Sequence, residues 1–131
     1  MINLKNRSVN ILIVEDNPID ILIINTLLKP HFNLAIVTNG DDALKILDEH
    51  KFDIILMDIN LGASSLNGID LVTIIKKSDK HLNTKIFAVT AYADDNELTS
   101  LNGFDAIYMK PVLKEEIFEF ISKHTDLDIL V

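Results

Sequence analysis

Short apolar runs alternate along the chain with segments whose apolar residues recur at helical spacing. Residues 9–14 are apolar except for Asn10 and end at Glu15-Asp16, which predicts a strand buried on both faces. Asn17-Pro18 reads as a helix start, with Asn as N-cap and Pro at the first helical position. Ile19, Leu22, Ile23 and Leu27 carry the stripe of that helix, and Pro30 stops it. The unit then repeats. Residues 34–37 form a short strand, Thr38-Asn39-Gly40 a turn, and 41–50 a helix with Ala43, Leu44 and Leu47 inward. The strand 54–57 ends at Asp58 and leads through a loop rich in Gly, Ser and Asn (60–68) into a helix over 69–77. That helix is expected to bury Ile69, Val72 and either Ile75 or its neighbours. The strand 86–89 ends at Thr90, and 94–101 is a weak helix with few apolar residues. The strand 106–109 ends at Lys110-Pro111, and Leu113, Ile117, Phe120 and Ile121 stripe a last helix.

Five such units predict the α/β class, a doubly wound five-stranded parallel sheet with five helices on its two faces. No linker or low-complexity segment divides the chain, so residues 1–131 read as a single domain with its core at about 9–123. A length of 131 residues, 48% of them hydrophobic and 24% charged, supports a buried core rather than disorder. Apolar runs such as Ile54-Ile55-Leu56-Met57 fall far short of the roughly 18 residues that span a bilayer. Residues 1–8 lack a signal-peptide pattern, and the expected location is the cytoplasm. With no Cys, disulfide scaffolds, thiol catalysis and zinc ribbons are excluded. The net charge of −8 disfavours a nucleic-acid binder and is compatible with a cation site or a basic protein partner. The sequence has no Gly-x-Gly-x-x-Gly and no Walker-type Gly-Lys-Thr, so a glycine-rich nucleotide cradle is excluded as well.

Open parallel sheets bind ligands beyond the carboxyl ends of their strands, where the strand order reverses. The polar residues at those ends here are Glu15, Asp16, Asp58, Thr90 and Lys110. Each alone has an ordinary explanation. An acid after a strand caps or turns the chain, Thr90 can cap the following helix, and Lys110 can be an exposed strand-end charge. Together, in the flavodoxin-like order 2-1-3-4-5, they would bring three carboxylates to one pocket. Carboxylates that close repel unless a cation neutralises them. Oxygen donors suit Mg²⁺, which commonly shares its shell with a phosphate. A lysine supplies a point charge for that phosphate and a threonine hydroxyl a hydrogen bond, so the set suits phosphoryl chemistry.

The stretches Ile11-Leu12-Ile13-Val14-Glu15-Asp16-Asn17-Pro18, Ile54-Ile55-Leu56-Met57-Asp58-Ile59-Asn60, Ala88-Val89-Thr90-Ala91 and Lys110-Pro111 make the sequence resemble a response regulator receiver domain. This is the phosphoacceptor half of two-component signalling, and the likeness covers about residues 9–123. The resemblance implies that Asp58 accepts a phosphoryl group from a phosphohistidine on a sensor histidine kinase or a phosphotransfer protein. It implies that Asp16 and Asp58 bind Mg²⁺ directly with the backbone carbonyl of Asn60, and that Glu15 acts through a metal-bound water. Lys110 would pair with the phosphoryl oxygens, and the Thr90 hydroxyl and the Ala91 amide would hydrogen-bond to them. Such a chain assists its own phosphorylation and dephosphorylation and is not otherwise an enzyme. Its output face would be the 94–101 helix, the last strand and the last helix, acting on an unnamed downstream protein. The resemblance also implies a monomer or weak dimer, either stand-alone or cut from a longer chain.

Three features depart from the family pattern. Glu15 stands where Asp is more usual. Asp58 and Gly68 are ten residues apart, about two more than usual, through Gly62-Ala63-Ser64-Ser65. The position three before the lysine, usually aromatic, is Ile107, and Tyr108 follows it on the opposite strand face. Two other readings stay open. Ile107 allows a receiver-fold binding module that works without phosphorylation, which intact Asp58, Thr90 and Lys110 oppose. A Mg²⁺-dependent aspartyl phosphatase is opposed by Asn60, which stands where those enzymes need a second Asp.

Overall fold

The computed structural model describes residues 9–59, 67–91 and 103–125. Within them β1 (Asn10–Val14), α1 (Pro18–Leu28), β2 (Asn33–Val37), α2 (Gly40–Glu49), β3 (Ile54–Asp58) and α3 (Gly68–Lys76) follow in order. A 3-10 turn at Asp79–His81, β4 (Lys85–Thr90), β5 (Ala106–Met109) and α4 (Lys114–Thr125) complete the set. All strand pairs are parallel and the order is β2-β1-β3-β4-β5, the expected arrangement. Four α-helices are present among the described residues. The expected helix over 94–101, most of the 60–68 loop and the tail from 126 lie outside them. No helix among the described residues is long and apolar enough to cross a membrane.

Alternation along the strands builds a core on each side of the sheet. Ile11, Ile13, Ile54, Leu56, Phe87 and Val89 pack with Ile24 and Leu28 of α1 and Ile117, Phe118, Phe120 and Ile121 of α4. Leu12, Val14, Ile55, Met57 and Ile86 pack with Ala43 and Leu47 of α2 and Leu71, Val72 and Ile75 of α3. Burying each of the Val, Leu, Ile, Phe and Met side chains among them contributes about 1.5–3 kcal/mol. Asparagines start three of the helices. Asn17 Oδ1 accepts from the N–H of Ile19 and Asp20 at 2.9 and 3.2 Å, and Asn39 Oδ1 from Asp42 N–H at 2.8 Å. Asn67 and Asp70 form a reciprocal capping box on α3.

Three expected apolar faces differ. In α1 the buried residues are Ile24 and Leu28, and Leu27 packs against their cluster as expected, whereas Ile19 is 69% and Leu22 64% exposed and Ile23 also faces outward. The helix reads Pro-Ile-Asp-Ile-Leu-Ile-Ile-Asn-Thr-Leu-Leu, apolar nearly all round, so spacing alone does not choose a face. In α3 the buried set is Gly68, Leu71, Val72 and Ile75, which turns Ile69 outward. Gly68 fixes that phase by sitting against the end of β3. Leu113 precedes α4 and is exposed, its N–H donating to Glu116 Oε1 at 2.9 Å.

Candidate functional site

The site lies at the carboxyl edge of the sheet, where the chain leaves β1 for one face and β3 for the other. Backbone bonds carry the pairing one residue beyond the strands and hold each side chain in place. Glu15 N–H donates to Val37 O at 3.0 Å, Ile59 N–H to Val89 O at 3.1 Å and Lys110 N–H to Thr90 O at 2.8 Å. Asp58 is the last residue of β3, paired with Val89, so Thr90 stands one step further along the adjacent strand. Glu15, Asp58 and Thr90 are buried, whereas Asp16 and Ala91 are exposed.

Carboxylate oxygens of Glu15, Asp16 and Asp58 all lie within 4.8 Å of one another. One edge of the group opens to solvent through the exposed Asp16. The donor set is all oxygen, which fits a hard divalent cation. Glu15 is tied in place on one side, its Oε2 accepting from the N–H groups of Asp16 and Asn17 at 3.1 and 3.2 Å. Its Oε1 accepts from Lys110 Nζ at 2.9 Å.

Lys110 Nζ also donates to Asp58 Oδ2 at 3.3 Å and to Asp20 Oδ2 at 2.9 Å. Burial alone would lower its pKa. The hydrogen bonds to Asp20 and Glu15, with the charges of Asp58 and Glu15, outweigh that effect and hold it well above the usual lysine value. Lys110 is therefore a fixed positive charge at the Asp58 carboxylate. The peptide between Lys110 and Pro111 is cis.

The structure thus gathers Glu15, Asp16, Asp58 and Lys110 at one point and puts Thr90 and Ala91 on the neighbouring strand end. Asn60, expected to offer its carbonyl, lies outside the described residues. Sequence reasoning missed Asp20. It lies 90 positions from Lys110, and its one local signal is an acid in the first turn of α1. The strand 5 register is as expected. Tyr108 pairs with Val89 and packs on the α1/α4 core, its ring stacked on Phe87 at 4.5 Å between centroids and 15° between planes. Ile107 pairs with Ala88 and faces the other side.

A family model described as the response regulator receiver domain matches residues 11–131. The chain is 31% identical over 118 residues to the polar-differentiation response regulator DivK of Brucella anthropi, covering 88% of this chain and 94% of DivK. It is 30% identical over 125 residues to the transcription factor SKN7 of Candida albicans, covering 93% of this chain and 22% of SKN7. The chain spans less than a quarter of the length of the first relatives it matches. Among solved structures it resembles the receiver domain of the sensor histidine kinase PA1611 of Pseudomonas aeruginosa, which has a magnesium ion coordinated in its active-site cleft. That likeness has a TM-score of 0.79 and 27% identity, covering 89% of this chain and 97% of the other.

Proposed function

This chain belongs to the response regulator receiver domain family, and from that premise we propose that it accepts a phosphoryl group on Asp58. The observation that carries the reading is the 3.3 Å contact between Asp58 Oδ2 and the Lys110 ammonium beside two further carboxylates. In the proposed transfer, a carboxylate oxygen of Asp58 forms a bond to phosphorus as the P–N bond of a donor phosphohistidine breaks. The electron pair of that bond stays on the imidazole nitrogen, which later takes a proton from solvent. Catalysis here is alignment and charge neutralisation, since no other covalent chemistry is required of the protein. Lys110 offsets the charge gathering on the phosphoryl oxygens. The Thr90 hydroxyl and the Ala91 N–H are the hydrogen-bond donors for the remaining oxygens.

Asp16 and Asp58, with Glu15 acting through water and the Asn60 carbonyl, are the groups that would hold Mg²⁺. When bound, the ion supplies charge neutralisation and orientation for the transferring group. The residues present fit it, because the convergent donors are all oxygen and one side of the set is open. The magnesium in the cleft of the PA1611 receiver domain supports the same assignment.

The donor partner is read as the histidine-bearing domain of a sensor kinase or phosphotransfer protein. Exposed Ile19, Leu22 and Ile23 on α1, which starts two residues past Asp16, offer that partner an apolar contact next to the site. The output is the switching of a downstream protein through the 94–101 segment, β5 and α4, with Thr90 as the link to that segment. We read the chain as a cytoplasmic phosphoacceptor that turns over only its own phosphoryl group, and as a monomer or weak dimer. Its charge of −8 favours protein partners over nucleic acid.

Incubation with phosphoramidate, followed by intact-mass measurement, tests this. The expected result is one added phosphoryl group in the presence of Mg²⁺ and none in Asp58→Asn. Equal labelling of wild type and Asp58→Asn would overturn it.

A further inference from the structure

Lys110 is held by three carboxylates that differ in how easily they let go. Its Nζ lies 2.9 Å from Glu15 Oε1, 2.9 Å from Asp20 Oδ2 and 3.3 Å from Asp58 Oδ2. An ammonium has three N–H donors, so this set uses all of them. Phosphorylation of Asp58 frees the N–H given to its Oδ2, the longest of the three contacts, and a second bond from Lys110 to the phosphoryl group can form only by displacing Glu15 or Asp20. The Glu15 side chain is 3% exposed, so bulk water cannot readily take the place of the lysine on its Oε1. The Asp20 side chain is 31% exposed, so water can take the place of the lysine there.

The helix start shows why Asp20 is available for this contact. In α3 the acid at the third helical position, Asp70, turns back and accepts the N–H of the cap residue Asn67 at 3.3 Å. Asp20 occupies the same position in α1. Here the cap N–H, from Asn17, is donated to Glu15 Oε2 at 3.2 Å. Asp20 reaches across to Lys110 instead.

We propose that Asp20 is a positioning residue that holds Lys110 in the unphosphorylated site and releases it to the phosphoryl group. This rests on the phosphoacceptor reading above. Two consequences have opposite signs. As a competitor for Lys110, Asp20 opposes capture of a phosphoryl group. As a fourth negative charge near Glu15, Asp16 and Asp58, it favours a bound cation. A role limited to the acidic first turn of α1 would not split them, because loosening the helix would weaken both.

The test is titration of wild type, Asp20→Asn and Asp20→Glu with Mg²⁺ alone, then with beryllofluoride at saturating Mg²⁺, followed by amide chemical shifts. Asp20→Asn should bind beryllofluoride about two- to fivefold more tightly, the range for a partly exposed ion pair. It should bind Mg²⁺ more weakly. Asp20→Glu should restore both toward wild type, and Asp20→Ser, which removes the carboxylate outright, should repeat the Asn result. Beryllofluoride binding that is equal or weaker in Asp20→Asn and Asp20→Ser, with wild type binding normally, refutes the role of Asp20 alone. No binding by wild type, or binding that survives Asp58→Asn, refutes the phosphoacceptor reading and this proposal with it.

Discussion

Replacing Gly68 with alanine should destabilise the protein and disturb Asp58, although Gly68 carries no chemistry. A Cβ built there would lie 2.8 Å from the carbonyl oxygen of Asp58 and 2.8 Å from the Cα of Ile59. Those contacts are roughly 0.7 Å inside the ~3.5 Å at which non-bonded heavy atoms meet comfortably. Both neighbours are backbone, so no side chain can rotate out of the way. Nor can α3 back off freely, because the Gly68 N–H donates to Ile59 O at 3.0 Å. Overpacking of this kind costs about 1–3 kcal/mol. Stiffening of the unfolded chain returns about 0.4–1 kcal/mol. The midpoints of those two ranges leave a net expected loss of about 1.3 kcal/mol. Urea unfolding at fixed Mg²⁺ reads it as a lower midpoint at unchanged slope. Phosphoramidate labelling of Asp58 should slow as well, since the strand end carrying it must move. A variant as stable as wild type would refute the close packing of α3 on the end of β3.

Mg²⁺ should stabilise the fold by about 2.7 kcal/mol at a hundred times its Kd, measured by thermal melts, and Asp16→Ala should lose most of that shift. His81 is buried, with Nε2 bonded to Leu47 O at 3.0 Å and Nδ1 without a hydrogen-bond partner among the described residues. Burial lowers its pKa more than the Leu47 bond raises it, and the charges of Lys80 and Lys51 lower it further. The folded-state pKa lies below the unfolded one, so stability is fully present above about pH 6.5 and falls as pH drops through the folded value. His81→Phe should flatten that acid limb of a stability–pH curve, and an unchanged limb would assign it to other groups. Leu28→Ala should cost about 2–5 kcal/mol in urea unfolding. Leu22→Ala should change stability by less than about 0.5 kcal/mol. It should slow phosphotransfer from a histidine-bearing donor protein but not from phosphoramidate.

The strands and their polar ends were legible because each apolar run stops at the residue that matters: Val14 before Glu15, Met57 before Asp58, Val89 before Thr90. A parallel strand buried on both faces is read from such a run without knowing which side packs first. The buried face of α1 was not legible for the converse reason. A helix that is apolar nearly all round carries no periodic signal, and its face is set by the contacts of Ile24 and Leu28 with α4 and the sheet. The phase of α3 depends on Gly68 fitting against the end of β3, a tertiary contact that no local pattern encodes. Asp20 was missed because its partner is at the opposite end of the chain. β1 and β5 are separated by β3 and β4 in the sheet, so the meeting of Asp20 and Lys110 depends on how the start of α1 and the residue after β5 both reach over its carboxyl edge.

The most direct test of the account is the identity of the labelled residue, because Glu15, Asp16, Asp20 and Asp58 all lie at the site. Wild-type protein would be phosphorylated by phosphoramidate with Mg²⁺, trapped by borohydride reduction and mapped by tandem mass spectrometry. The modification is expected on Asp58, whose carboxylate contacts Lys110 at 3.3 Å from the end of β3. Modification at Glu15, Asp16 or Asp20 with Asp58 untouched, or no modification at all, would contradict it.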